Sequence, residues 1–551
     1  MTNTHHPNRT GIFSMKFKIL CISLTFLIFA QNTVLANEDP AENTIGERLF
    51  LETRFAQAYY ANPTKADPVM EKTITTTGEL NSPFAGKTMN CRACHMVDEY
   101  QDTPSAGMRT YSDYAKRPPV PKRADGATTS GRNSMAMVNI AIPHQIQEDA
   151  VFHFDGEFNS MEDLVRATFS GRNFGWLPGE DKLAIQHIAK IIREDNGKGE
   201  LAKELGGAYS VVLKGTDKNI PEEFRLAEDY RIDVTTASDQ QIFDTVAKLV
   251  SAYVTDLTFQ VDDEGHYIGS PYDAFLKANK LPRKPRNNET DKDYSLRLLN
   301  AVNQLDKPRF VKAKKNKFAS HQQDFIFATQ ELKGMKLFFN KDKNKTSAGN
   351  CISCHTAPHF SDFGFHNTGL VQQNYDALHG IGSFRTLMIP DLNQRNKKYN
   401  EYLPATAKHP AAISRFRSIT SKNKPGYTDL GLWNVFANPD MPAPQEKLTA
   451  IMCNQFSATK QDNCTTNILL SKTIAAFKTP VLRDLGHSNP YMHTGQFVDL
   501  TQAVRFYITS STLVKNGGFR NSEQNIREIN LTENDAAPIV AFLKSLNEDY
   551  E

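Results

Sequence analysis

The sequence predicts a mainly α chain folded as two similar lobes, and three observations carry that prediction. The signature C-x-x-C-H occurs twice, as Cys91-Arg92-Ala93-Cys94-His95 and as Cys351-Ile352-Ser353-Cys354-His355. Helix-like text with a central glycine precedes each copy: Ile45-Gly46-Glu47-Arg48-Leu49-Phe50 before the first, Glu331-Leu332-Lys333-Gly334-Met335-Lys336-Leu337-Phe338 before the second. Strand-like alternation of apolar and polar residues is sparse throughout.

The signature is the attachment motif of c-type haem. Two thiols two residues apart add to the two vinyl groups on one edge of the porphyrin. The following histidine then sits under the iron as its axial imidazole. One copy alone also suits a zinc half-site. Two copies, neither with a second C-x-x-C close enough to close a zinc site, point to two covalent haems. Each lobe is therefore expected to be a cytochrome c-like haem domain. Cys91 and Cys94 would hold one haem with His95 on its iron, and Cys351 and Cys354 the other with His355.

The chain has 551 residues, 39% hydrophobic and 23% charged, an ordinary globular composition with room for two or three domains. A formal charge of +2 gives no reason to expect nucleic acid or a polyanionic partner. Residues 1–36 read as a signal peptide: Arg9, Lys16 and Lys18 precede the apolar run 19–30, and Val34-Leu35-Ala36 offers a cleavage site. The run is shorter than the roughly 20 residues a membrane span needs. The expectation is export to the periplasm with no stable membrane insertion after cleavage. Losing three positive charges takes the chain from +2 to about −1. Of seven cysteines, Cys21 leaves with the signal and four carry haem. Cys453 and Cys464 remain; an oxidising compartment favours a disulfide between them over two separate thiols.

The expected organisation is an N-terminal cytochrome c-like domain over 37–280, a linker over 281–320 and a C-terminal cytochrome c-like domain over 321–551. Residues 240–253 read as an amphipathic helix, with Ile242, Val246, Leu249 and Val250 on one face. The linker is rich in Lys, Arg, Asn and Asp, with one helix expected over 294–303. Residues 536–546 read as a helix that packs on the second haem domain.

The text around both motifs resembles the bacterial di-haem cytochrome c peroxidase and MauG family. The carriers are Arg132-Asn133-Ser134 to Asn139, Phe360-Ser361-Asp362 to Phe365-His366-Asn367-Thr368-Gly369, and Phe477-Lys478-Thr479-Pro480-Val481-Leu482-Arg483-Asp484 followed by Pro490-Tyr491-Met492-His493-Thr494-Gly495. The resemblance implies an exported oxidoreductase that reduces hydrogen peroxide at the N-terminal haem, with electrons passing through the C-terminal haem. A small cytochrome c or copper protein would be the donor. It also implies calcium between the lobes, held by Asn133 and the carbonyls of Ser488 and Pro490, a set of oxygen ligands suited to that hard cation. Family members are often homodimers.

Several positions depart from the family. Fourteen residues after His493, where the peroxidases carry a methionine on the second iron, stands Tyr507, as in MauG-type enzymes. A phenolate is a hard anionic ligand that favours ferric iron. Met492 and Met441 are rival ligands. No histidine occurs between Lys122 and Arg132, so an open sixth site is expected at the first iron, with His144 and His153 as substitutes from elsewhere. Phe154 stands where an inter-haem tryptophan is usual; Trp176 is an alternative aromatic. Leu164 and Phe174 fall at the family's distal Gln and Glu. Peroxide cleavage needs a group that moves a proton between its oxygens, and Glu157, Arg172 and Asn173 are the polar residues nearby. Two other readings stand beside the peroxidase: a MauG-like enzyme that oxidises a protein-bound or organic substrate through a high-valent di-haem state, and a non-catalytic di-haem electron carrier or sensor.

Overall fold

Two helix pairs organise the chain. In the computed structural model, helix Ala41–Phe50 crosses Asp239–Asp256, and Thr329–Phe339 crosses Ala536–Lys544. Each crossing depends on the glycine the sequence repeats. A methyl group on Gly46 would collide with the carbonyl of Leu249 and lie 2.9 Å from Tyr253 Cβ. One on Gly334 would collide with the carbonyl of Pro538 and lie 2.8 Å from Phe542 Cβ. Helix backbones approach this closely only where a Cβ is missing.

The structure describes residues 40–548 apart from 64–71, 76–77, 82–89, 92–93, 96–98, 102–106, 110–119, 143–149, 313–317, 319–320, 322, 343–346 and 457–463. The expected signal peptide and His144 lie outside the described residues. A mainly α fold is what the sequence predicts and what is seen: the strands among the described residues form three short antiparallel pairs.

Local signals explain the helices. Ser238 opens Asp239–Asp256 with a capping box to Gln241. The predicted face, Ile242, Val246, Leu249 and Val250, is buried in a first core with Ile45, Leu49 and Phe50. Glu331 accepts a 2.7 Å hydrogen bond from the Ala328 N–H at the start of Thr329–Phe339. That helix buries Met335, Phe338 and Phe339 with Ile539 and Phe542 in a second core. Burial stabilises each such side chain by roughly 1.5–3 kcal/mol. Helix Asp291–Asn303, within the stretch 281–320, places Tyr294, Leu298 and Val302 in this second core as well.

A third core has no counterpart among the motifs. Phe365, Tyr375, Phe416, Leu432, Trp433, Leu448 and Met452 pack together with Val151. The pair Phe365–His366 and Phe477–Lys478 joins the two ends of this segment. Cys453 and Cys464 form a disulfide within it. Among the described residues no helix is long and apolar enough to cross a membrane.

Candidate active site

The first cysteine and the histidine of each C-x-x-C-H motif are joined by the same backbone hydrogen bond. The His95 N–H donates to the Cys91 carbonyl at 2.8 Å, and the His355 N–H to the Cys351 carbonyl at 2.8 Å. These turns bring each histidine back over its own cysteines. His355 Nδ1 donates to the Phe360 carbonyl at 2.9 Å, which leaves Nε2 with its lone pair for a metal. Burial lowers both histidines and keeps them neutral. Burial, with the nearby His153, lowers His95 to about 4. Burial also pushes the thiols of Cys94 and Cys351 up to about 12, so they stay protonated.

Beside the first motif is a cavity of about 600 Å³, within the range of sites that take drug-sized or cofactor-sized ligands. Cys91, Cys94 and His95 stand in its wall. Helix Met161–Phe169, capped by Ser160, whose hydroxyl accepts the Asp163 N–H at 3.1 Å, contributes Leu164, Val165 and Phe169. Phe174, Val250 and Val254 add apolar wall, and Ala405, Thr406, Arg417, Asp429 and Met441 come from the third-core segment.

The residues present fit a c-type haem. The cavity joins an apolar wall to two thiols and a neutral imidazole. Two donors in its wall, Arg172 Nη1 and Trp176 Nε1, are buried and have no hydrogen-bond partner among the described residues. Buried donors without partners are costly, and the carboxylates of a haem edge would satisfy them.

A charged constellation lines the same cavity. Arg132 holds Asp429 at 2.6 and 3.0 Å and Asp155 at 2.7 Å. Arg417 grips Glu157 with both nitrogens, one at 3.1 Å, and reaches Asp155 at 3.4 Å. His153 Nδ1 lies 3.4 Å from Glu157. Burial would raise the Glu157 carboxyl, but the Arg417 guanidinium and a hydrogen bond from His153 hold it well below the usual carboxylate range. Arg417 and Asp429 carried no sequence signal. They lie 260 and 297 residues from Glu157 and Arg132, and only folding brings them together.

The remaining expected residues are placed as follows. Arg172 lines the cavity but turns its guanidinium to Asp125 at 2.6 Å and to the carbonyls of Pro121 and Ala127. Asn173 is an exposed residue of the same wall. Trp176 is fully buried there, and Phe154 lies 6.4 Å from the His493 ring, which stacks on Phe477 at 3.6 Å. Met441 lines the cavity beside His95, together with Ala405, Thr406 and Ala407. Asn133 Nδ2 donates to the Pro490 carbonyl at 2.6 Å, and Ser488 is two residues away along the chain. Tyr507 lies on helix Leu500–Lys515. Burial, then the nearby Cys354 and Cys351 sulfurs, push its phenol above the usual range, with His366 opposing. His366 is clamped between Asp362 and Glu523, at 2.9 Å each.

No family model matches the chain. Over 244 residues it is 24% identical to the cytochrome-c peroxidase IdrP2 of Denitromonas iodatirespirans, a stretch that makes up 43% of each chain. Over 220 residues it is 24% identical to the cytochrome-c peroxidase IdrP1 of Pseudomonas sp. (strain SCT), 40% of each. The chain thus spans about two fifths of the length of the curated relatives it matches. Among solved structures, the di-haem peroxidase BthA of Burkholderia thailandensis matches at 16% identity and a TM-score of 0.41, over 93% of this chain and 86% of that one. A MauG-like protein associated with microbial copper homeostasis matches at 14% identity and a TM-score of 0.43, over 94% of this chain and 96% of that one. The chain is similar to the di-haem cytochrome c peroxidase and MauG family, as its motifs suggest.

Proposed function

We propose that this chain is an exported di-haem peroxidase that reduces hydrogen peroxide in the cavity beside His95. The observation that carries the reading is the joining, in one cavity wall, of Cys91, Cys94 and His95 with the Arg417–Glu157–His153 group. When bound, haem supplies the iron that takes up peroxide and stores oxidising equivalents. The protein supplies the proton movement. Glu157, held ionised by Arg417, accepts the proton of the near peroxide oxygen and returns it to the far one, which leaves as water. His153 shares the load as the neighbouring proton carrier. Arg417 positions Glu157 and offsets the charge that develops at the leaving oxygen.

In this reading the two motifs mark two cytochrome c-like domains, over 37–280 and 321–551, and electrons reach the first iron through the second. Cys351 and Cys354 would hold the second haem, and His355 and Tyr507 would be the residues that ligate its iron. A small cytochrome c or copper protein refills the pair. Calcium sits at Asn133 and the carbonyls of Ser488 and Pro490.

Tyr507 favours a second outlet, the MauG-like one, in which a protein-bound or organic substrate replaces the cytochrome. The test has two steps. The ferric holoprotein should show a high-spin band that shifts with cyanide; a wholly low-spin, cyanide-inert spectrum leaves only a carrier or sensor. Peroxide followed by reduced cytochrome c should then give rapid cytochrome oxidation. A long-lived oxidised state indifferent to cytochrome selects the MauG-like outlet instead.

A further inference from the structure

Outside both haem motifs, three ligand-type side chains converge in the protein interior. His321 Nε2 lies 2.7 Å from Asp484 Oδ1, and His487 Nδ1 lies 2.8 Å from Asp484 Oδ2. One donor atom of each falls within 4.8 Å of the others. All three side chains are at most 2% exposed. The two imidazoles lie face to face, with centroids 3.8 Å apart and planes 12° from parallel. A fourth donor is at hand: the Glu548 backbone carbonyl is 3.1 Å from His321 Nε2.

Asp484, Asp273 and Glu548 are buried together; Arg483 bonds Asp273 at 2.9 and 3.1 Å and also Glu548, whose carboxyl burial raises to about 8. Glu548 Oε2 is buried with no hydrogen-bond partner among the described residues. Asp484 pairs with the two histidines, and its Oδ1 also accepts the Glu548 N–H at 3.3 Å. A divalent metal ion bound here would be met by one nitrogen of each imidazole and by the Asp484 carboxylate.

The site is also built for these groups. A methyl on Gly486 would fall 2.9 Å from His321 Cε1 and 3.0 Å from its Nδ1, so the missing side chain makes room for the ring. The Asp484 N–H donates to the Leu546 carbonyl at 3.0 Å, and the Gly486 N–H to Asn547 Oδ1 at 2.9 Å. Residues 546–548 are thereby laid over the cluster.

We propose that His321, Asp484 and His487, with the Glu548 carbonyl, form a closed structural site for one late first-row divalent cation, zinc being the probe. Two imidazoles and a carboxylate suit zinc, whereas calcium takes oxygen ligands, so this site is distinct from the one assigned to Asn133. The ion pins His321 and residues 546–548 to the segment that runs on to Pro490 and His493. This inference does not depend on the peroxidase reading.

The test is metal stoichiometry of the haem-loaded protein, dialysed after growth with zinc and measured by plasma mass spectrometry. One zinc per chain is expected beyond the two haem irons. His487→Gln and His321→Gln should each lose it while keeping the haem spectrum. A zinc chelator, with calcium resupplied, should lower the unfolding temperature of the wild type and leave that of His487→Gln unchanged. Should one variant fail to fold, the other and the chelation experiment still decide. No zinc in the wild type, or zinc retained in both variants, overturns the proposal.

Discussion

A phenol that meets ferric iron loses its proton, because a bound cation stabilises the anion far more than water does. This is why a tyrosine with a raised pKa at position 507 is compatible with ligation. On the proposed reading, Tyr507→Met trades a hard anion for a thioether and should raise the second haem's potential by tenths of a volt, given the ~0.8 V that axial ligands span. Spectroelectrochemical titration measures it, and an unchanged potential removes Tyr507 as a ligand. At the first haem, Glu157→Gln keeps the shape and removes the proton acceptor. The rate of reaction with peroxide should fall by about 10²–10⁴, while cyanide affinity and the ferric spectrum stay as in the wild type. Stopped-flow mixing checks this, and a wild-type rate moves the proton transfer to another group. The attachment residues were legible because covalent chemistry imposes a local spacing. Arg417 was not, because its only signal is a contact with Glu157 across 260 residues. Met441, which the sequence offered as a rival at the second iron, lines the cavity beside His95.

The helices were legible at the next scale, since a glycine centred in helical text recurs before each motif; their pairing was not. Their crossing makes the glycines sensitive. Gly46→Ala and Gly334→Ala each force a methyl against a backbone carbonyl of the partner helix, which no rotamer change relieves. Each should destabilise by about 3 kcal/mol or more, at or above the upper end of ordinary overpacking. Gly199→Ala, whose added carbon meets nothing within 4 Å, should stay within about 0.5 kcal/mol of the wild type. Urea midpoints at constant slope read the difference, and a mild effect at Gly46 or Gly334 means the helices can part without loss. The third core was not legible. It carries no repeat, and apart from Phe365 its centre is assembled from residues outside the motifs, such as Phe416 and Trp433, 5.3 Å apart edge to face, and Tyr402 stacked on Phe416.

Polar contacts stand beside apolar ones where residues of the first half meet those of the second, and Lys478 shows them best. Its backbone N–H donates to the Phe154 carbonyl and its ammonium to the Val151 carbonyl, both at 2.8 Å. The same seam holds Arg132 on Asp429 and Asn133 on Pro490. Sequence alone showed the motif around Lys478 but not that it faces a buried carbonyl from the other half. Burial lowers the ammonium to about 8, against the pull of Asp155. The unfolded chain holds that proton up to about 10.5. Below pH 8 both states are charged and the folded state bears the full desolvation cost, about 3 kcal/mol from the size of the shift. Between pH 8 and 10.5 the unfolded state binds more protons than the folded one, so this residue's contribution to stability rises with pH. Above 10.5 the cost is gone. Other lysines and tyrosines titrate in the same window, so the informative quantity is the difference between wild type and Lys478→Met. That difference should move in favour of the wild type by about 2–3 kcal/mol from pH 8 to 10.5, followed by denaturant midpoints at half-unit steps. A flat difference would mean that the ammonium keeps its charge in the folded state, with Asp155 compensating its burial in full.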